Sequence, residues 1–283
     1  MTNPLQQYYR SVKVYTRLPT QGKHYKEDLI KFNEDGEVAI MPMTGKDEIC
    51  LKDPNALLNG EALRQVLKSC VIDIKDPNQI AMNDVTALMV AIKLASYGKT
   101  QRSSIDCPKC EVENQYDIEY QSLLDSMEIM EGDNVVVLSN GVSVFVRPFT
   151  LNEQIMASKK TFEQAKIGRL LDQQNADEDK QMAAISNSIK TMVDLNYHLL
   201  ANCVIKIVDQ ANNMTFINNK ETNKDVHDFL VNISREDAKA IDEEIARINQ
   251  VGINKNFNLV CEKCKHKWTT EMEFNISDFF TDS

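Results

Sequence analysis

Apolar residues recur along this chain with two different periods, and the places where the period changes mark its elements. Residues 1–30 follow neither period. They are polar, with Leu18-Pro19-Thr20-Gln21-Gly22 as a turn signal, which predicts an extended N-terminal arm. Residues 37–43 (EVAIMPM) follow the Asp35-Gly36 turn as a short strand, which Pro42 ends or confines to a sheet edge. Thr44, with Asp47 three residues on and Glu48 beside it, gives an approximate capping-box start to a helix. Asn59-Gly60 separates that region from a second helix, in which Leu63, Val66, Leu67 and Cys70 recur at helical spacing. A third helix is predicted from Asn83, a good N-cap. It carries Val85, Leu88, Met89, Ile92 and Leu94, and ends at Tyr97-Gly98, where glycine suits a C-terminal cap. Together these helices predict one compact bundle.

Residues 135–146 read as a hairpin. Two β-branched runs flank Ser139-Asn140-Gly141, and Asn-Gly supplies the positive φ angles of a tight primed turn. The period then becomes helical from about Leu151 to Val208, broken by the polar stretch 172–179 (DQQNADED), the natural loop of a helical hairpin. In its second arm Met182, Ile185, Ile189, Met192, Asn196, Leu199 and Cys203 alternate spacings of three and four. That is a coiled-coil-like seam, with polar Asn196 at a core-type position where it sets register or partner choice. The seam either packs on the first arm of the same chain, the simpler reading, or docks a helix of another protein. A further helix runs from about Ser234 to Gln250, with Ser234 and Asp237 as a capping-box-like start and Val251-Gly252 at its end. The C-terminus returns to strand character around Phe257, Leu259, Trp268 and Phe274, and closes on Phe279-Phe280, a second candidate contact for a partner.

Composition narrows the functional classes. The chain has 283 residues, 42% hydrophobic and 26% charged, with few Gly and Pro, so it should fold into one large domain or two to three small ones. A formal net charge of -10 repels phosphate backbones and anionic lipid headgroups. The start lacks the apolar segment of a signal peptide and no stretch has the length of a membrane span, which predicts a soluble protein made and used in the cytoplasm. Seven cysteines, an odd number, point to reduced thiols rather than a disulfide framework.

Four of those cysteines form two CxxC knuckles, Cys107-Pro-Lys-Cys110 and Cys261-Glu-Lys-Cys264, each framed by strand-like residues as in half of a zinc ribbon. Two intervening residues let both thiolates face one ion from a tight turn, and two knuckles complete a tetrahedral shell. A closed shell of four thiolates leaves no position for substrate, so one bound Zn2+ would be structural. The knuckles lie far apart in sequence, so a single ion would clip the N-terminal half to the C-terminal end. Two separate sites, the second recruiting His266, and reduced or redox-active pairs are the alternatives. A thioredoxin-like pair would have to open a helix, and neither does. Cys50, Cys70 and Cys203 fall at helical core spacing and read as small core residues. His24, His198, His227 and His266 share no motif, there is no phosphate loop or dinucleotide fingerprint, and the acidic runs read as solvated surface. The expectation is a protein that is not an enzyme.

Several segments together resemble the T4-type phage baseplate protein family, whose members act in assembling the central hub of a contractile tail. They are Leu18-Pro19 with Gly22 and Tyr25, the stretch from Met41 to Glu48, Leu57-Leu58-Asn59-Gly60, the helix from Asp84 to Gly98, the two knuckles, and terminal Phe279-Phe280. The resemblance implies a hub subunit or an assembly chaperone with hub and tape-measure proteins as partners. It further implies a place in the host cytoplasm during assembly or in the tail baseplate of the virion. The alternative class is a zinc-ribbon protein associated with nucleic acid, for which Lys263, Lys265, Lys267 and Trp268 offer a small basic, aromatic patch.

The expected fold is therefore α+β: a mainly helical body with small antiparallel hairpins, and a zinc-ribbon-like four-cysteine knuckle pair joining the two halves. Its expected parts are the arm 1–30, a mixed α/β domain 31–150 with the first knuckle and hairpin, a helical domain 151–250, and knuckle strands 251–283 packing back on the first domain. The candidate metal ligands are Cys107, Cys110, Cys261 and Cys264. The candidate partner contacts are Met182, Ile185, Ile189, Met192, Asn196, Phe279 and Phe280.

Overall fold

A computed structural model describes residues 3–173 and 178–271. The architecture is α+β, helices with small antiparallel sheets. The chain divides into two compact units, one formed by residues up to Met130 and from Val251 on, the other by Glu131–Gln250, so the second is inserted in the sequence of the first. No described helix is long and apolar enough to cross a membrane.

The first unit begins with β1 (Val14–Thr16), which pairs antiparallel with β2 (Val38–Ile40), Val14 opposite Ile40. The segment expected as an extended arm is packed. Leu18, Thr20, Leu29 and Ile30 are buried, and the Arg10 guanidinium donates to the Pro42 carbonyl and to the carbonyl and hydroxyl of Ser69. Its apolar residues are spaced by irregular turns, so burial there leaves no period to read. Three short helices follow: α1 (Gly45–Leu51), α2 (Pro54–Leu58) and α3 (Glu61–Cys70). Thr44 and Asp47 make the expected reciprocal capping box, and buried Asp47 also accepts from Ser69 and lies 3.6 Å from Arg10. Thus the Met41 to Glu48 stretch is the joint on which the N-terminal segment and α3 meet.

The core is built on α4 (Met82–Tyr97), buried on nearly every face. Asn83, expected as its N-cap, lies inside it. Ala81 occupies the cap without a side-chain bond, and the Asn83 amide instead donates to the Val251 carbonyl at 2.5 Å. Gly98 ends the helix at φ 100°, as expected. At the other end Asp84, with no exposed surface, accepts from the Thr20 amide (2.9 Å) and from the hydroxyls of Thr20 and Tyr25 (both 2.5 Å). Burial raises its carboxyl to about 6 against those hydrogen bonds. Gly22 turns this loop at φ 72°, and a Cβ there would come within 2.9 Å of the Phe32 ring. The spaced Pro19, Gly22 and Tyr25 are therefore parts of one loop folded onto Asp84. After α4 come β3 (Thr100–Asp106), β4 (Glu113–Glu119) and α5 (Tyr120–Asp125).

The second unit holds β5 (Val135–Val137), β6 (Ser143–Val146), α6 (Leu151–Gln173), α7 (Glu178–Cys203), β7 (Val204–Asp209), β8 (Met214–Ile217), α8 (Asn223–Asn232) and α9 (Arg235–Gln250). Its strands form one antiparallel sheet in the order β5-β6-β7-β8, with α6 and α7 inserted between β6 and β7. The β5–β6 hairpin therefore belongs with the helices of this unit, not with the segment before it. Its turn also differs from the primed type: of Ser139, Asn140 and Gly141 only Gly141 has positive φ (83°), and Leu138 bonds both Gly141 and Val142. That is a type I turn closed by a left-handed glycine. The cause is Asp237, whose carboxylate accepts from the Ser139 amide and hydroxyl at 2.8 Å each while completing the Ser234 cap of α9. Arg147 joins the start of α6 to the end of α7 through both carboxylate oxygens of Glu153 and the Asn202 carbonyl.

The α7 seam is divided. Leu199 and Cys203 are buried, whereas Met182, Ile185, Ile189 and Met192 are exposed by 70%, 55%, 59% and 36%, and Asn196 is exposed too. Burial within the chain, the simpler expectation, is thus seen only at the base of the seam. The last strands, β9 (Asn256–Val260) and β10 (Lys267–Glu271), return to the first unit.

Candidate metal centre

Each CxxC pair sits at the tip of a two-stranded hairpin, β3–β4 for the first and β9–β10 for the second. The two tips are built alike. The Cys107 amide donates to the Val112 carbonyl and the Glu111 amide to the Cys107 carbonyl. Likewise the Cys261 amide donates to the His266 carbonyl and the Lys265 amide to the Cys261 carbonyl. Four residues past each first cysteine, Glu111 (φ 54°) and Lys265 (φ 56°) take the left-handed conformation that turns the chain back. Neither pair opens a helix, so nothing at either tip provides the macrodipole that activates a redox thiol.

The four sulfurs come together in one cluster, all within 4.8 Å of one another. Cys107 Sγ lies 3.7 Å from Cys264 Sγ, and Cys110 Sγ lies 3.6 Å from Cys261 Sγ. A tetrahedral zinc with bonds of about 2.3 Å requires sulfurs about 3.8 Å apart, close to both of these spacings. Cys107 and Cys261 are buried, and Cys110 and Cys264 are half-buried. The Cys264 amide points at Cys261 Sγ (3.5 Å), and this amide, with that of Lys263, lowers the Cys261 thiol to about 6 despite burial. Cys110 moves to about 12: against the Val112 amide, which lowers it, burial and the sulfurs of Cys264, Cys261 and Cys107 raise it. The two shifts move in opposite directions, as in a thiol that hydrogen-bonds to a neighbouring thiolate, and a divalent cation bound here would favour the deprotonated form of every ligand.

Two residues that the sequence pattern did not single out as functional hold the tips together. Asn114, buried on β4, donates to the Val112 carbonyl (2.7 Å) and accepts from the Glu262 amide (2.9 Å), so one side chain ties the first tip to the second. Tyr116 donates to the Val260 carbonyl at 3.1 Å and meets Trp268 edge to face, with centroids 6.3 Å apart. His266 contributes its carbonyl to the second tip and stacks its ring on Trp268 (6.1 Å, 9°), and is not among the clustered ligands. Half-buried Trp268 thus contacts both Tyr116 and His266, while Lys263, Lys265 and Lys267 are exposed.

The other candidate residues lie elsewhere. Cys70 and Cys203 are buried and Cys50 is half-buried, away from the cluster. Met182, Ile185, Ile189, Met192 and Asn196 lie on α7 in the second unit. Between α7 and α9 a shallow groove is lined by Met192, Val193, Asn196, Tyr197, Arg235 and Lys239. Phe279 and Phe280 lie outside the described residues.

In comparison with known proteins, residues 12–281 match the family model described as T4 bacteriophage base plate protein. No curated protein and no solved structure matches.

Proposed function

The chain belongs to the T4 bacteriophage base plate protein family, and from that premise we propose that it is a hub subunit or hub assembly factor of a contractile phage tail. It acts without catalysis, through contacts with hub and tape-measure proteins, in the host cytoplasm during assembly or within the tail baseplate. The match over residues 12–281 carries this proposal, because it spans both units rather than one motif.

One structural Zn2+ at Cys107, Cys110, Cys261 and Cys264 would hold the hairpin tips of the first unit together. The clustering and spacing of the sulfurs support that ion, and four protein ligands leave it no open position for water or substrate. The exposed part of the α7 seam would take an amphipathic helix of a tail protein. Met182, Ile185, Ile189 and Met192 are apolar, exposed and at coiled-coil spacing, and exposed Asn196 at the seam's core-type position would fix the register of that helix. Nucleic acid is a poor partner for a chain of net charge -10 whose knuckle aromatic, Trp268, is half-buried in contact with Tyr116 and His266.

Complementation tests the proposal. Phage lacking this chain should accumulate tails or tail tubes without complete baseplates in electron micrographs. The intact chain should restore them, and the Ile185→Asp/Ile189→Asp variant should not. Normal tails in its absence would refute the proposed role.

A further inference from the structure

Apart from the four cysteines, the described residues hold one other group of side chains within ligating reach of a single ion: Asp194, His198 and His227, in the second unit. Asp194 and His198 stand one turn apart on α7, so their side chains share a face. His227 reaches them from α8. His198 Nε2 lies 3.5 Å from Asp194 Oδ2, and His227 Nε2 lies 3.6 Å from Asp194 Oδ1. A tetrahedral ion bound at about 2.0 Å separates its ligand atoms by about 3.3 Å, so the carboxylate stands close to that separation from each imidazole nitrogen.

A second observation points the same way. Nε2 of His227 is buried and has no hydrogen-bond partner, although a buried nitrogen is ordinarily satisfied. The opposite ring nitrogen, Nδ1, lies 3.7 Å from Asp228 Oδ1, a proximity short of a hydrogen bond. The His198 ring stacks on that of His227, with centroids 4.1 Å apart and an interplanar angle of 21°, so half-exposed His198 has to turn out of this stack for both in-plane lone pairs to meet at one ion. Two imidazoles and one carboxylate select a first-row transition ion over calcium or magnesium, which prefer an all-oxygen shell.

We infer that Asp194, His198 and His227 form a second metal site, for a divalent transition ion such as zinc, which fastens α8 to α7. With Asp194 and His198 more than half exposed, water completes the shell, and the site binds more weakly than four thiolates do. The site is independent of the cysteine cluster and of the baseplate role.

Calorimetric titration of the full-length, zinc-loaded and dialysed chain with Zn2+ tests it. One further ion per chain should bind in the micromolar range. Asp194→Asn, which keeps the side-chain volume, and His198→Ala, at a half-exposed position, should each weaken that ion at least about tenfold with unchanged circular dichroism. Cys110→Ser should leave it in place, and His266→Ala should have no effect. Absence of a further ion at tens of micromolar zinc, or binding that survives both Asp194→Asn and His198→Ala, would overturn the site.

Discussion

Cys110 Sγ and Cys261 Sγ lie 3.6 Å apart although they are 151 positions apart in the chain. The whole inserted unit, Glu131–Gln250, lies in that interval, so a bond through an ion between these sulfurs closes a loop around it and fixes both ends of the first unit at one point.

Removing a ligand from that cluster should release the metal and loosen the first unit together. Cys107→Ser or Cys261→Ser is expected to abolish stoichiometric zinc and to destabilise by about 3–5 kcal/mol, or about 10 °C in melting temperature, as should a strong chelator. Cys50→Ser, outside the cluster, should change neither. Metal analysis with thermal denaturation decides it, and retained zinc with unchanged melting would exclude a structural ion there.

Asp84 makes stability depend on pH in a defined direction. Its folded carboxyl titrates at about 6 and its unfolded one near the ordinary 3.8, so the folded state holds the proton more tightly. The stability this group contributes is complete below about pH 4 and is lost as pH rises through about 6, by about 3 kcal/mol in all. Asp84→Asn removes the titration, so the variant should gain on the wild type by up to that amount between pH 4 and pH 7. Urea unfolding of both proteins across this range measures the difference, and a constant difference would refute the assignment.

Gly22→Ala should destabilise the first unit by about 1–3 kcal/mol, because a side chain at φ 72° is strained and its Cβ would press on Phe32. Gly36→Ala, also at positive φ but with nothing nearby, should cost less, about 1 kcal/mol. Comparing the two melting temperatures separates contact from backbone strain.

On α7, Ile185→Asp and Ile189→Asp should leave the isolated chain within about 0.5 kcal/mol of wild type, since both side chains are more than half exposed. Leu200→Asp, at a position 3% exposed on the same helix, should destabilise by more than about 3 kcal/mol. Equal damage from the two kinds of substitution would mean that the exposed seam is packed within the chain.

What the sequence made legible was local chemistry at fixed spacing. The capping box of Thr44 with Asp47 formed as read, Ser234 caps α9 by accepting from the Asp237 amide, and Gly98 ended its helix, because each needs only neighbours in sequence. The two knuckles could be read as turns for the same reason, and their meeting in one cluster followed from the chemistry of four thiolates. What stayed hidden was decided at long range. Asn83 is not a cap because its amide is taken by Val251, 168 residues on, and the hairpin turn took another type because Asp237 binds Ser139, 98 residues away. The burial of Leu18, Leu29 and Ile30 likewise came from irregular turns that give no period. Asn114 carries no motif, and only the approach of Glu262 reveals its role.

The most direct test of the baseplate role is quantitative mass spectrometry of purified virions alongside hub-assembly intermediates from infected cells. The expected result is this chain at a fixed ratio to other baseplate proteins in virions, if it is a hub subunit, or bound to hub or tape-measure proteins in the intermediates, if it is an assembly factor. Its absence from both fractions would contradict the account.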